Sequence, residues 1–78
     1  MIPLYGFLQG DVLGILLLAN EQTTLGELAE QLQQAARLRM ARRPNAMVKH
    51  QGRLLDARLT VKQANLEALE RIDVEFPA

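Results

Sequence analysis

Residues 24–36 combine a helix start signal with the apolar spacing of an amphipathic helix. Thr24 and Glu27 form a capping box, in which the threonine hydroxyl accepts from the Glu27 amide and the Glu27 side chain reaches back. Glutamines occupy the opposite, polar face, and Pro44 prevents continuation of the helix. The pattern predicts one main helix at about residues 25–38. The residues at helical spacing are Leu25, Leu28, Ala29, Leu32, Ala35 and Ala36.

The residues before this helix have the composition of a β-hairpin. Residues 3–9 and 12–19 are rich in strand-favouring or apolar side chains, and Gln9-Gly10-Asp11 between them is a turn signal. After the helix, residues 46–50 and 53–55 predict two short strands around a turn at Gln51-Gly52. We therefore expect two strands on each side of the helix.

The carboxyl-terminal third predicts a short helical turn and a final strand. Thr60 is placed to cap one turn of helix over residues 61–65, and residues 71–76 alternate with a period of two. Ile72, Val74 and Phe76 would form the buried face of that strand. The order of elements predicts an α+β protein of the β-grasp, ubiquitin-like class. We expect a mixed four- to five-stranded sheet on one helix, with residues 1–78 forming a single domain.

Composition limits the chemistry that the chain can perform. It has no cysteine, no serine and one histidine, which excludes disulfides, thiolate metal sites and a serine nucleophile. His50 is predicted to be a surface strand residue, and the acids Glu67, Glu70, Asp73 and Glu75 a solvated face rather than a metal site. We expect no catalytic, cofactor-binding or metal-binding residue in this chain.

The hairpin lacks the alternation expected of a sheet with one face in water. With a turn at Gly10-Asp11, the helix-facing side would hold Leu4, Leu8, Leu13, Ile15 and Leu17. The outward side would hold Tyr5, Phe7, Leu16 and Leu18. Exposed apolar patches commonly mark interaction sites, so this side is predicted to meet a partner. The alternatives are that the ends or loops of the chain cover it, or that an exposed apolar patch is tolerated without a partner.

Charge is unevenly distributed, although the net charge is zero. Residues 1–36 carry four acids and no base, whereas residues 37–62 carry eight bases and one acid. The arginines near the end of the predicted helix could complement its dipole or could dock acidic groups of a partner, and they are Arg37, Arg39, Arg42 and Arg43. Nucleic acid is the least favoured partner because no stacking aromatic lies in the basic region. The basic candidates for the partner interface are Arg39, Arg42 and Arg43.

Several segments together resemble one bacterial protein family. The stretches "IPLYGFLQGDVLGILLLANEQTTLGELAE", "ARR", "MVKH" and "IDVEF" are similar to the small subunit of multicomponent toluene monooxygenases, the toluene-4-monooxygenase system protein B family. The resemblance implies a ubiquitin-like, non-catalytic gamma subunit for aromatic hydrocarbon catabolism. It would dock on the large and second subunits of a hydroxylase, and the large subunit would hold the di-iron centre.

A second hypothesis is a free-standing ubiquitin-like adaptor, for example of a bacterial secretion system. The sequence ends in "EFPA" without the Gly-Gly tail of a conjugated modifier or sulfur carrier, so neither of those roles is expected. The first basic residue is Arg37 and the longest apolar run has eight residues, which predicts neither a signal peptide nor a membrane span. A bacterial cytoplasmic location is the expectation.

Overall fold

The computed structural model describes residues 1–78 as one sheet packed on one helix. Strands β1 (Ile2–Leu8) and β2 (Gly14–Ala19) precede helix α1 (Leu25–Ala35), and β3 (Met47–His50), β4 (Arg53–Leu55) and β5 (Arg71–Glu75) follow it. The strand order across the sheet is β2-β1-β5-β3-β4. This arrangement confirms the predicted β-grasp architecture, with five strands.

The sheet is mixed because β1 and β5 are parallel, whereas all other neighbouring strands are antiparallel. β1 pairs antiparallel with β2 and parallel with β5, and β3 pairs antiparallel with both β5 and β4. The turn between β3 and β4 has positive φ at both Gln51 (53°) and Gly52 (79°), as a tight hairpin turn of the mirror-image type requires. The predicted strand pair around this turn is confirmed.

The core lies between α1 and the inner face of the sheet. Leu25, Leu28 and Leu32 of the helix are fully buried. Facing them are the inward residues of the strands, which include Leu4, Leu8, Leu17, Val48, Ile72 and Val74. Burial of Ile72, Val74 and Phe76 confirms the predicted inner face of the last strand.

Helix α1 begins as predicted but ends earlier. The Glu27 amide donates to the Thr24 hydroxyl over 3.1 Å, and the Glu27 carboxylate accepts from that hydroxyl rather than from the backbone. The prediction that the helix continues to residue 38 was wrong. After the C-cap residue Ala36, the Arg37 amide donates to the Gln34 carbonyl three residues back instead of the Gln33 carbonyl four residues back, so the α-helical hydrogen-bond pattern stops there.

Two further predictions need correction. Strand β2 begins at Gly14 rather than residue 12, because the Asp11 carboxylate accepts from the amides of Val12 and Leu13 and holds a loop there. Leu13 is consequently 49% exposed instead of facing the helix. Residues 61–65 form the predicted single turn, in which the Ala64 amide donates to the Thr60 carbonyl four residues back and the Gln63 amide donates to the Thr60 hydroxyl.

Candidate docking surface

The outward side of the hairpin carries large apolar side chains that nothing in the chain covers. Tyr5, Leu16 and Leu18 are 43%, 52% and 53% exposed. Tyr5 lies directly opposite Leu16, and alternate residues of a strand share a face, so Phe7 lies on the same face as Tyr5, and Leu18 on the same face as Leu16. We call Tyr5, Phe7, Leu16 and Leu18 the hairpin patch. The alternative, that loops or chain ends cover it, is wrong for Tyr5, Leu16 and Leu18.

Phe7 is the half-buried member of the hairpin patch. It lies opposite Gly14 in β2, and a Cβ atom at Gly14 would be only 2.6 Å from the Phe7 Cζ atom. The aromatic ring therefore lies over the glycine backbone. The Arg71 guanidinium of β5 is 3.9 Å from the ring centroid, within the range of a cation–π contact. Gly14 and Arg71 belong to this surface, and only the strand register reveals them.

Charged side chains beside the hairpin patch neutralise one another. On the same face, Arg71 contacts Asp73 at 2.8 Å and Lys49 contacts Glu75 at 3.0 Å. The hydrogen bond to Asp73 raises the pKa of Arg71. The hairpin patch is thus bordered by paired charges with no net sign. A complementary partner surface would be apolar at its centre and uncharged beside β5.

The predicted arginines are bound within the chain. Arg39 contacts Asp11 of the hairpin loop at 2.8 Å, and this hydrogen bond is the main cause of the lowered pKa of Asp11. Arg42 pairs with Glu30, and the Arg43 guanidinium lies 4.6 Å from the centroid of Phe76. The last turn of α1 contains no base. Complementing the helix dipole is therefore the wrong role for Arg39, Arg42 and Arg43.

Arg37 is the arginine that contacts the end of the helix. Its guanidinium donates to the Gln34 carbonyl over 2.8 Å, which satisfies one of the carbonyls left free at a helix end. Gln33 of α1 connects the helix to the segment that follows it. Its buried amide donates to the Arg43 carbonyl and accepts from the Arg43 amide, which fixes the segment after the helix against α1.

His50 and the carboxyl-terminal acids do not gather into one cluster, and His50 contacts only Glu70 among them. The His50 Nε2 atom lies 3.0 Å from a Glu70 carboxylate oxygen, and His50 is a partly buried residue of β3. The Glu67 amide and, to a lesser degree, His50 lower the pKa of Glu70. No group of three or more His, Asp or Glu side chains is close enough to share a metal ion.

The surface depressions lie away from the hairpin patch and from the arginines. The two surface depressions share Ile2 and Glu21, and neither is lined by a residue of the hairpin patch or by an arginine. The helix of the structure is too short and too polar to cross a membrane. The hairpin patch is therefore the surface feature with the clearest potential for recognition.

The fold places the chain in the ubiquitin-like class. The structure of the ubiquitin from Caldiarchaeum subterraneum superposes with a TM-score of 0.81 at 10% identity, covering 99% of this chain and 94% of that chain. At such low identity the likeness concerns the fold alone. Among curated proteins, none is significantly similar in sequence.

Within that class the sequence identifies the family. The family model described as Toluene-4-monooxygenase system protein B (TmoB) matches residues 1–76, and the chain belongs to this family. A chain in the structure of the toluene 4-monooxygenase HD complex with the inhibitor 4-bromobenzoate has the same fold. The TM-score is 0.88 at 22% identity, covering 97% of this chain and 98% of that chain. The predicted family resemblance is confirmed.

Proposed function

We propose that this protein is the non-catalytic accessory (gamma) subunit of a bacterial di-iron hydroxylase that oxidises toluene or related aromatic compounds. The family match over residues 1–76 carries this proposal. The end-to-end similarity to a chain of a toluene 4-monooxygenase complex supports it. The role is structural: the subunit completes or stabilises the surface of the large hydroxylase subunit in the cytoplasm.

The distribution of reactive groups supports a non-catalytic role. The sequence has neither cysteine nor serine, and its one histidine contacts Glu70 on the sheet. Most of the acids and bases form ion pairs with each other. In the proposed complex the di-iron centre lies in the large subunit, and this chain supplies none of its ligands.

The hairpin patch is the proposed docking surface, and Arg39, Arg42 and Arg43 are proposed as additional charged contacts outside it, since Arg39 contacts Asp11 of the hairpin loop and Arg42 contacts Glu30 of α1. Tyr5, Leu16 and Leu18 are about half exposed, and large side chains of this kind gain most from burial against a partner. The arginines are secondary in this proposal. Two of them already have acidic partners in their own chain, so docking would have to compete with those ion pairs.

Co-purification tests the proposed function. The protein is co-expressed with the large and second hydroxylase subunits from the same genome, with an affinity tag on the large subunit. We expect the small chain to elute with both subunits in fixed stoichiometry. An untagged archaeal ubiquitin of the same fold, co-expressed in place of the small chain, serves as the control and should not elute with the hydroxylase subunits. Recovery of the small chain only in the unbound fraction, while the two hydroxylase subunits elute together, would exclude the proposed function.

A further inference from the structure

The two edges of the sheet differ in a way that bears on docking. Edge strand β4 has three residues and includes Arg53, so it is short and charged. Edge strand β2 has six residues, Gly14–Ala19, all of them glycine or apolar. Natural proteins protect sheet edges with charges, prolines, bulges or short strands, since an open edge can pair with another chain. β2 has none of these protections.

The register shows which backbone groups of β2 are unpaired. The Tyr5 amide donates to the Glu70 carbonyl over 2.9 Å, so its N–H points toward β5 and away from β2. In an antiparallel pair, alternate residues direct their backbone groups away from the partner strand. Gly14, Leu16 and Leu18 lie opposite Phe7, Tyr5 and Pro3, and they are the outward-directed set.

No other part of the chain satisfies these groups. None of the backbone hydrogen bonds outside the helix and strand ladders involves Gly14, Leu16 or Leu18. The same three residues lie on the outward face of the sheet, where the side chains of Leu16 and Leu18 form part of the hairpin patch. A strand added beside β2 would therefore bond to their N–H and C=O groups and extend the hairpin patch by its own alternate side chains.

We propose that an extended segment of a hydroxylase subunit adds to the sheet beside β2, and this inference rests on the proposed function. The segment pairs with the backbone of Gly14, Leu16 and Leu18. Its side chains on the outward face are apolar and uncharged, because they lie beside Leu16 and Leu18. Main-chain bonds supply affinity in such strand addition, and the alternate side chains supply specificity.

A second copy of this chain fits the edge less well than the hydroxylase. Pairing two β2 strands would bring together six residues a side, whereas a stable interface uses about 20–30 residues and buries about 800 Å² on each partner. Such a dimer would also join two hairpin patches into one larger apolar surface that stays in water. A hydroxylase subunit can fill the edge and cover the hairpin patch together. The paired charges beside the patch suit an uncharged partner surface.

Paired variants of Leu16 and Leu18 separate the strand edge from the side chains. Leu16→Ala removes most of the side chain and keeps the amide, whereas Leu16→Pro also removes the edge N–H. Proline is tolerated on an edge strand where its nitrogen faces solvent. We expect Leu16→Pro to bind the hydroxylase about tenfold more weakly than Leu16→Ala, because a partner carbonyl loses its donor. The Leu18→Pro and Leu18→Ala pair repeats the comparison at a second position.

Amide hydrogen exchange of the unmodified chain gives a direct measurement, which does not depend on whether the proline variants fold. In the isolated protein, Leu16 and Leu18 should exchange fast while the ladder amide of Leu17 is protected. In the complex we expect exchange at Leu16 and Leu18 to slow by at least about tenfold. Unchanged exchange in a complex that forms would overturn the inference while leaving the proposed function intact. Failure to form any complex would exclude the proposed function instead. Protection in the isolated chain together with a dimeric mass would assign the edge to a second copy and overturn the inference.

Discussion

At the scale of single residues, a glycine shapes the outward face of the hairpin. Gly14 makes room for the Phe7 ring, which is then held against the Arg71 guanidinium 3.9 Å away. A phenylalanine pointing outward would otherwise be free to rotate in water. The aromatic surface is thus fixed before any partner arrives, which reduces the entropy lost on binding.

We predict that Gly14→Ala destabilises the protein although alanine suits a strand better than glycine. The added Cβ would lie 2.6 Å from the Phe7 ring and would displace it from Arg71, at a cost of about 1–2 kcal/mol in the free energy of unfolding. Denaturant titration measures this loss. In a Phe7→Leu background the loss should be smaller. Equal losses in both backgrounds would show that the ring is not the cause.

Asp11 predicts a dependence of stability on pH. Arg39 and the loop amides lower its pKa below the ordinary value of 3.8, so the folded state binds this proton less readily than the unfolded state. The carboxylate therefore stabilises the fold above about pH 4, and this contribution is lost as the pH falls through the folded pKa. Asp11→Asn should flatten the dependence of Tm on pH between about pH 5 and pH 2.

Two matched variants check the assignment to the Asp11–Arg39 pair. Arg39→Gln removes the main cause of the pKa shift and should flatten the same part of the curve. Asp56→Asn should remove a different contribution to the pH dependence of Tm, because Arg58 lowers the pKa of Asp56 to about 2. If Asp11→Asn and Arg39→Gln shift Tm additively in the double variant, the two side chains do not act as a pair.

At the scale of elements, helix α1 depends on its amino-terminal cap. Thr24 accepts from the Glu27 amide and donates to the Glu27 carboxylate, and Leu25 and Gly26 donate their amides to carbonyls of the loop before Thr60. The start of the helix is therefore stabilised by hydrogen bonds within its own first turn and by hydrogen bonds to the loop after β4. Its end has a single arginine contact, from Arg37 to the Gln34 carbonyl.

We predict that Thr24→Ala lowers the free energy of unfolding by about 1 kcal/mol, the usual effect of removing an N-cap hydroxyl. Thr24→Ser keeps the hydroxyl and should retain most of the stability. Thermal and denaturant unfolding of the two variants measure the difference. A serine variant as unstable as the alanine variant would show that the threonine methyl group, rather than the cap, is responsible.

The elements also show what sequence patterns can and cannot predict. The capping box, the turn glycines and the alternation of residues 71–76 are local signals, and they correctly predicted α1, both hairpins and β5. At the end of α1 the Arg37 amide bonds to the Gln34 carbonyl, three residues back instead of four, and the start of β2 depends on the Asp11 carboxylate. The contact of Phe7 with Gly14 and Arg71 requires the register of three strands, which no local pattern specifies.

At the scale of the whole molecule, the outward sheet face is divided into two regions. The hairpin patch covers β2 and β1, and paired charges cover β5 and β3. Leu54 of β4 lies beyond the charged region, opposite Lys49, and is 62% exposed. It is an exposed leucine of the same face outside the proposed docking surface, and this makes it a suitable control.

We predict that Leu16→Asp weakens hydroxylase binding by at least about a hundredfold and changes the stability of the isolated protein little, because an unpaired carboxylate buried at an interface costs several kcal/mol while one in water costs little. Leu54→Asp should bind as the unmodified protein does. Pull-down and thermal melting measure the two effects. Similar loss of binding in both variants would assign docking to the whole face rather than to the hairpin patch.

The arginines predict an effect on association rate. Replacing Arg39, Arg42 and Arg43 by glutamine should slow association at low salt, with the difference shrinking toward 1 M salt, where the Debye length is about 3 Å. Surface-binding kinetics at two ionic strengths measure this. Equal rates for both proteins at low salt would remove the arginines from the interface and leave the hairpin patch as the docking surface.

The parallel pairing of β1 with β5 has a consequence for biosynthesis. The Gln9 side chain accepts from the Phe76 amide across 67 positions of the chain, so β1 gains its second neighbour only when this distant segment has left the ribosome. Until then the nascent hairpin has two bare edges and an apolar face, and such species aggregate readily. Contacts between distant segments also slow folding. Translation of this chain close to its hydroxylase would shorten the time for which the nascent hairpin remains unprotected.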